Sequence, residues 1–182
     1  MNSYLLFLRK GTRMKVLIVS DSHGLVSELG VLKKRHGKEV DLFLHCGDSE
    51  LAASEDVMEG YITVQGNCDY EDKYPTETIQ EIAGKKIFLT HGHLYGVKSS
   101  LNSLLYKAKE VQADIACFGH SHYLGMEVVD DVLFINPGSL RLPRGRMEQT
   151  YVILTIERDR LETEVYDFHK GLLPELKNDF SL

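Results

Sequence analysis

One pattern recurs five times along the first two-thirds of the chain: a short apolar segment followed closely by a polar residue that can bind a metal ion. The segments are KVLIVS, VDLFLHCG, YITVQG, KKIFLT and ADIACFG. Each is rich in β-branched or aromatic residues, which is typical of a strand buried on both faces of a sheet. The residues that follow them are Asp21, His23, Asp48, Asn67, His91, His120 and His122.

Two segments between these strands have the spacing of amphipathic helices. Residues 25–37 carry apolar side chains three to four positions apart, and Gly37 is available as a C-cap. Residues 99–113 carry a comparable apolar stripe. Strands that alternate with helices predict an α/β architecture with helices covering the sheet faces.

The alternation stops after residue 122. Residues 124–139 predict a hairpin that turns at Asp130 and Asp131, and residues 150–168 predict a second hairpin that turns near 158–160. Because no helices separate these strands, we expect them to form a second, more antiparallel sheet.

Length and composition favour one domain. A chain of 182 residues buries about 70% of its unfolded surface, and the hydrophobic content of 43% is ordinary. Residues 1–13 do not fit the pattern that begins at Met14. We therefore predict an N-terminal appendage over 1–13, with an extra edge strand as the alternative, and a single domain over 14–182.

Charge, hydropathy and cysteine usage narrow the partners and the compartment. The net charge of −6 disfavours nucleic acid as a partner, although a local anion site stays open. No apolar stretch approaches the ~20 residues of a membrane span. The three cysteines form no CxxC pair, so we expect reduced thiols in a cytoplasmic protein, with Cys117 as a small buried hydrophobic residue.

The polar residues after the five apolar segments indicate one shared site. Functional residues of open α/β sheets collect beyond the carboxyl ends of the strands, whereas a single Asp or Asn there is a common turn former. Imidazole, carboxylate and amide ligands suit manganese, iron, zinc or nickel better than calcium. Seven ligands suit two ions that share a bridging carboxylate, so His120 and His122 can each serve a different ion.

Five ordered motifs and a trailing segment make the chain resemble the calcineurin-like metallophosphoesterases. They are DSH at 21–23, GD at 47–48, GNCD at 66–69, HGH at 91–93, GHSH at 119–122 and NPGS at 136–139. The resemblance covers about residues 14–168 and is closest to the short bacterial and archaeal phosphodiesterase branch, which is also similar to a subunit of the retromer complex. It implies a two-sheet β-sandwich flanked by helices, in four αββα layers.

The resemblance also implies a role for each candidate ligand. Asp21, His23 and His122 would bind the first ion. Asp48 would bridge the two ions, and the second would be bound by Asn67, His91 and His120. The cofactors would be two divalent transition-metal ions, with manganese as the first choice and nickel, iron or zinc as alternatives. A water bridging them would attack phosphorus in line with the leaving group.

One position departs from the pattern. Many members of the family have histidine after the asparagine, where this chain has Cys68. A thiol cannot replace a protonated imidazole as a proton donor at neutral pH, so we expect activated diesters to react better than alkyl monoesters. Cys68 and His93 are the two candidates for a catalytic or supporting role beside the ligands.

Several further residues have both a functional and a structural interpretation, and others have only a structural one. Asp69 either orients a ligand or caps a turn, and Asn136 belongs to a tight loop under the site. The three arginines within 141–146 either attract a phosphate or lie in a solvated loop. We expect His45 to be a core or supporting histidine, whereas His36 and His169 are typical surface residues.

The leading function is a metal-dependent phosphodiesterase that acts on a small phosphodiester by direct attack of water. The alternatives are a protein-interaction scaffold that keeps its metal site, and a phosphomonoesterase or nucleotide pyrophosphatase. No membrane partner is expected, and homo-oligomer formation stays open.

Overall fold

The first strand shows how the fold is layered. In a computed structural model, which describes residues 13–70 and 73–182, strand β1 runs over Met14–Val19 and is buried on both faces. Side chains alternate along a strand, so Val16 and Ile18 point into one apolar core while Leu17 and Val19 point into another. A strand with two buried faces needs cover on both sides, and the remaining elements supply it.

The other elements follow in chain order. They are α1 Val26–His36, β2 Leu42–His45, β3 Tyr61–Thr63, β4 Glu77–Ile82, β5 Lys85–Thr90, α2 Asn102–Glu110, β6 Ile115–Cys117, β7 Leu124–Val129, β8 Val132–Pro137, β9 Thr150–Glu157, β10 Arg160–Asp167, β11 Gly171–Leu172 and β12 Asn178–Ser181. Single-turn 3₁₀ helices lie at His93–Tyr95 and Pro174–Leu176.

The strands form two mixed sheets. The first has the order β11-β10-β9-β1-β2-β3, with β12 also paired to β10, and its β1, β2 and β3 are parallel. The second has the order β4-β5-β6-β8-β7, and its β5, β6 and β8 are parallel. Parallel strands end at one edge of their sheet, so each sheet presents three carboxyl strand ends together.

Three apolar clusters hold the layers together. The largest lies between the two sheets and includes Ile18, Leu89 and Leu154. A second packs α1 against the outer face of the first sheet, and a third packs α2 against the outer face of the second sheet. The layer order is therefore helix, sheet, sheet, helix, which confirms the predicted αββα sandwich.

The two predicted hairpins form, but not the separate sheet expected from them. Asp130 and Asp131 take left-handed conformations, with φ of 49° and 65°, and close the β7–β8 hairpin. That hairpin joins the second sheet beside β6, whereas β9–β10 joins the first sheet beside β1. The expectation was wrong because β9 is buried on both faces, as a central strand is, and β1 offers it a free edge.

Some elements gave a weak signal or none. Strand β4 was not predicted because it is an edge strand in which four of the six residues are polar and the two apolar ones are three positions apart. The strands β11 and β12 are too short to stand out. His36 was expected at the surface but is buried, and its Nε2 lies 2.8 Å from the Tyr151 hydroxyl. His169 is exposed, as predicted.

The predicted appendage over 1–13, including the YLLFL segment, lies outside the described residues except for Arg13. Met14 is 2% exposed and pairs with Ile156. We propose that the domain begins there and extends over 14–182. Within the described part of the chain, no helix has the length and apolar character needed to cross a membrane.

Candidate metal centre

The structure brings all seven predicted ligands to one place, where the carboxyl ends of β1, β2 and β3 meet those of β5 and β6. Asp21, His23 and His122 form one group whose ligand atoms lie within 4.8 Å of one another, and Asp48, His91 and His120 form another. The amide oxygen of Asn67 lies 3.2 Å from His91 Nε2 and so joins the second group. The five strand ends predicted to share a site therefore come from two sheets rather than one.

The backbone at the site is held in an unusual conformation. Five of the seven residues have positive φ, with values from 42° at His23 to 66° at His120. Such conformations cost about 1–3 kcal/mol each in residues other than glycine and persist only where the surroundings impose them. Here the amides of Asp21 and His23 donate to the carbonyls of Gly47 and Asp48, so one loop holds the next.

The ligand atoms face one another as hydrogen-bond acceptors. His122 Nδ1 donates to the Leu142 carbonyl at 2.8 Å, which directs the lone pair of its Nε2 toward Asp21 Oδ1 at 3.1 Å. Asp21 Oδ1 is buried and receives no hydrogen bond from the described residues. In the second group His91 Nδ1 donates to the Cys46 carbonyl at 2.7 Å, and its Nε2 lies 3.2 Å from Asp48 Oδ2.

Such facing acceptors require a positive species between them, either a proton or a metal ion. Imidazole nitrogens, two carboxylates and an amide oxygen, with neighbouring groups that already fix the histidine tautomers, fit a divalent transition-metal ion. Asp21 Oδ1 lies 3.1 Å from His122 Nε2 and 4.0 Å from His91 Nε2, so it sits between the two groups.

The acid–base properties show the competition between protons and metal. Burial would raise the pKa of Asp21, but His122, His91 and the Ser20 hydroxyl outweigh it, so that pKa lies below its usual value. Burial opposes protonation of His91, yet the carboxylates of Asp48 and Asp21 raise its pKa. A raised histidine pKa makes the proton a stronger competitor for the lone pair that a metal ion would use, so metal binding should weaken as the pH falls.

Asp69 is the residue that joins two of the ligand loops. Its carboxylate accepts hydrogen bonds from the backbone N–H groups of Asp48, Gly66 and Glu50, at 2.8, 2.7 and 2.7 Å, and from the Ser49 hydroxyl at 3.1 Å. The sequence left open whether Asp69 orients a ligand or caps a turn, and the structure shows that it connects the loop of Asp48 to the loop of Asn67.

Asn136 and Ser139 stabilise the loops that follow β1 and β6 and carry the other ligands. The Asn136 amide donates to the Gly119 carbonyl and the Ser121 hydroxyl at 3.1 and 2.9 Å, while Ser139 Oγ donates to the Asp21 carbonyl at 2.8 Å. Gly119 itself has no room for a side chain, since a Cβ there would collide with Ser20 and Asp21. The NPGS segment therefore supports the site, although Asn136 and Pro137 are the last residues of β8 and not part of a loop as expected.

Glu50 is a residue of the site that sequence reasoning missed. Its carboxylate lies 2.7 Å from His23 Nδ1, which leaves His23 Nε2 directed toward His122. Glu50 follows the GD motif by two residues and takes a positive φ of 55°, and its place in that loop was the available signal.

The remaining histidine and cysteine candidates take distinct positions. His45 is fully buried: its Nδ1 accepts from the Gly47 amide at 3.1 Å and its Nε2 lies 2.9 Å from the Ser22 hydroxyl, so it is a supporting histidine as expected. His93 is half-buried, with its ring 5.3 Å from that of His91. Cys68 donates its backbone N–H to Asp48 Oδ1 at 2.7 Å.

All three cysteines are free thiols. Cys117 is fully buried in the core between the sheets, as predicted, and burial raises its pKa well above the usual value.

Of the three arginines within 141–146, Arg141 donates to the His23 carbonyl through its guanidinium. Arg144 is exposed and donates its backbone N–H to the His122 carbonyl.

Comparison of the sequence with known proteins identifies the family of this chain. Residues 14–159 match the model of the calcineurin-like phosphoesterase superfamily domain. The probable metallophosphoesterase YsnB of Bacillus subtilis is 47% identical over 169 residues, which cover 93% of this chain and 100% of that protein. A phosphodiesterase of Methanocaldococcus jannaschii is 30% identical over 145 residues, covering 69% of this chain and 83% of the relative.

A solved structure agrees with the fold. The crystal structure of a predicted phosphoesterase from Streptococcus pneumoniae has a TM-score of 0.89 and 32% sequence identity to this chain. The match covers 94% of this chain and 99% of the other.

Replacing Asp69 with asparagine should weaken metal binding while leaving every candidate ligand in place. An amide offers one acceptor oxygen where the carboxylate offers two, so the loop of Asp48 loses part of its support. We expect Asp69→Asn to lower manganese affinity by about 10- to 100-fold, measured by equilibrium titration. Asp56→Asn, at an exposed aspartate, is the matched control, and equal affinities for the two variants would contradict the role of Asp69.

His45 should make the metal-free protein less stable as the pH falls. Burial lowers its pKa to about 4 from a usual value of 6.5, so between these values the unfolded chain binds a proton that the folded chain does not. The free energy of unfolding then decreases as the pH falls through this window, by on the order of 3 kcal/mol.

The measurement is denaturant unfolding of chelator-treated protein between pH 7 and 4. His45→Gln should flatten the pH dependence relative to the unsubstituted protein, whereas His169→Gln, at an exposed histidine, should leave it unchanged. An identical slope in the His45 variant would show that this side chain is protonated in the folded state.

Proposed function

The chain belongs to the calcineurin-like phosphoesterase superfamily and is a phosphoesterase; on that premise we propose that it is a metal-dependent phosphodiesterase with a dinuclear site. The observation that carries the proposal is the cluster of facing acceptor atoms at the junction of the two sheets. The fold implies divalent metal ions, and the candidate ligands lie in two groups.

The groups define which residues would hold each ion. Asp21, His23 and His122 would hold the first, and Asn67, His91 and His120 would hold the second, with Asp48 as the bridging carboxylate. The Asp48 carboxylate lies 3.2 Å from His91 Nε2 and accepts a hydrogen bond from the Cys68 amide. Manganese is our first choice for both positions, because these nitrogen and oxygen ligands suit it.

The residues of the chain prepare the site for a phosphate ester. Two divalent ions held there would supply activation of a water for attack on phosphorus and would neutralise the phosphoryl oxygens. Glu50, Cys46 and Leu142 hold the Nδ1 atoms of His23, His91 and His122, which keeps each Nε2 available as a ligand. Asn67 provides a ligand oxygen without adding negative charge near the incoming anion.

The proton-donor properties favour diesters with good leaving groups. Burial first, and then Asp48 and its neighbours, raise the pKa of Cys68 to about 11, which makes this thiol a weak acid. Burial and the charge of His91 lower the pKa of His93 below its usual value, so the protonated form of this imidazole is disfavoured. Neither group supplies the strong general acid that an alkoxide leaving group needs.

The partner that we propose is a small phosphodiester. The three free thiols support our inference of a reducing, cytoplasmic compartment. The net charge of −6 gives no support to nucleic acid as the substrate.

The dinuclear assignment is tested by metal content together with activity. Protein dialysed against manganese should hold about two ions per chain by elemental analysis, and a chelator should abolish hydrolysis of bis-p-nitrophenyl phosphate. Asp48→Asn should lower kcat/KM by at least about 100-fold, and Asn67→Ala by less, because a carboxylate between two ions also offsets their repulsion.

Asp131→Asn, in the exposed β7–β8 turn, is the control for the loss of one carboxylate. Full activity with a chelator present would contradict the proposal. Two bound ions without turnover of any ester would favour the scaffold function instead.

Cys68→His tests the lack of a general acid. In the unsubstituted protein kcat/KM should fall steeply as the pKa of the leaving group rises across a series of aryl methyl phosphodiesters. General acid catalysis contributes about 10²–10⁴-fold, so an imidazole at this position should improve poor leaving groups more than p-nitrophenolate. A flat dependence in the unsubstituted protein would mean that another residue donates the proton, and His93 is then the group to substitute.

A further inference from the structure

A groove of about 550 Å³ opens beside the candidate metal centre, on the outer face of the second sheet. It lies between the segment that precedes α2 and the edge strand β7. The rings of Phe118 and Phe134, packed edge to face with centroids 6.4 Å apart, belong to its lining. Ser121, which stands between His120 and His122 in the chain, lines it as well, so one wall of the groove lies next to the loop that carries these two ligands.

The groove is cationic near the metal centre. Arg144 lines it, and its backbone N–H donates to the His122 carbonyl at 3.1 Å. Lys98 also lines the groove. Within residues 13–70 and 73–182, neither cationic side chain forms an ion pair, so both charges are available to an anion.

The end of the groove that lies farther from the metal centre carries a negative charge. Glu127 lines the groove three residues beyond Leu124 on β7, which places it about 10 Å farther along the strand. Between them Gly125 leaves open space, since a Cβ at this position would meet no atom within 4 Å. A ligand in the groove therefore meets positive charge, then an apolar and aromatic stretch, and then one carboxylate.

Tyr123 offers an aromatic surface at the mouth of the groove. It follows the ligand His122 directly and is 55% exposed. Its ring rests on the backbone of Gly145, where a Cβ would lie 2.9 Å from the ring, so only glycine fits beneath it. The ring is therefore supported on one side by backbone, while its exposed surface is open to an aromatic partner.

We propose that this groove binds a nucleoside group of the substrate, so that the enzyme acts on phosphodiesters with one nucleoside substituent. This inference rests on the proposed phosphodiesterase function. A volume near 550 Å³ suits a nucleoside, Tyr123 and the apolar lining suit its base, and the two cations suit the phosphate. Glu127 can accept a hydrogen bond from an exocyclic amino group and repels the next phosphate of a strand.

Two esters with the same leaving group test the proposal. Adenosine 5′-(p-nitrophenyl phosphate) and methyl p-nitrophenyl phosphate both release p-nitrophenolate, so they differ only in the group that would enter the groove. Stacking of a base on an aromatic side chain predicts a kcat/KM about ten-fold higher for the adenosine ester. Equal values for the two esters would overturn the proposal.

Filling the groove should remove this preference. Gly125 has no left-handed φ, so Gly125→Leu places bulk in the groove without backbone strain and should bring the ratio of the two kcat/KM values close to one. Val128→Leu, at an exposed residue on the same strand, should keep the ratio. Tyr123→Ala should lower it several-fold, whereas Tyr106→Ala, at an exposed tyrosine on α2, should not.

Binding of adenosine 5′-monophosphate separates this inference from the proposed function. Calorimetric titration of the manganese-loaded protein should show binding about ten-fold tighter than that of methyl phosphate, and Gly125→Leu should abolish the difference. That result without hydrolysis of either ester would contradict the phosphodiesterase function but support the groove. Hydrolysis of both esters without a Gly125→Leu effect, or equally strong competition by a single-stranded DNA decamer, would overturn the groove assignment.

Discussion

The structure depends on an unfavourable arrangement at the junction of its two sheets: buried carboxylate and imidazole acceptors that face one another. Asp21 Oδ1 and His122 Nε2 lie 3.1 Å apart, and Asp48 Oδ2 and His91 Nε2 lie 3.2 Å apart. Each pair is stable only with a positive species between its members. The loops, the left-handed backbone and the glycines around the site all serve to keep these atoms converged.

The convergence is maintained by groups that touch no ligand side chain. Asp69 holds the loops that follow β2 and β3, and Asn136 holds the loop that follows β6. Gly66 and Gly119 let these loops approach, because a Cβ at either position would collide with Asp48 or Asp21. Five strained residues together cost several kcal/mol, and the three apolar clusters of the sandwich make that cost tolerable by fixing the strand ends.

Reactivity and specificity are separated in this arrangement. In the function that we propose, metal ions held by the facing acceptors would form the reactive centre, and neither Cys68 nor His93 beside it is a strong proton donor, so the rate would depend on the leaving group. The groove next to His120 and His122 has its own lining and its own charge gradient, from Lys98 to Glu127. A change in the groove can therefore alter which ester is preferred without altering the chemistry at phosphorus.

The sequence by itself determined the strands and the chemistry at their ends. Apolar runs such as KVLIVS carry enough local signal to predict a buried strand. A polar ligand that follows such a run lies at the end of that strand whatever the order of the strands in the sheet. The same holds for the two helices and for the turn at Asp130 and Asp131, where backbone preference and pattern agree.

Only the tertiary structure decided how those parts meet. Hairpin β9–β10 lies beside β1 rather than in a separate sheet because strand pairing depends on free edges and two-sided burial, which no local pattern encodes. The roles of Asp69 and Glu50 arise from loops that are distant in sequence and adjacent in space. The groove is formed by residues of β7 and β8, the loops that follow β6 and β8, and the segment before α2, so it exists only once the second sheet has been assembled.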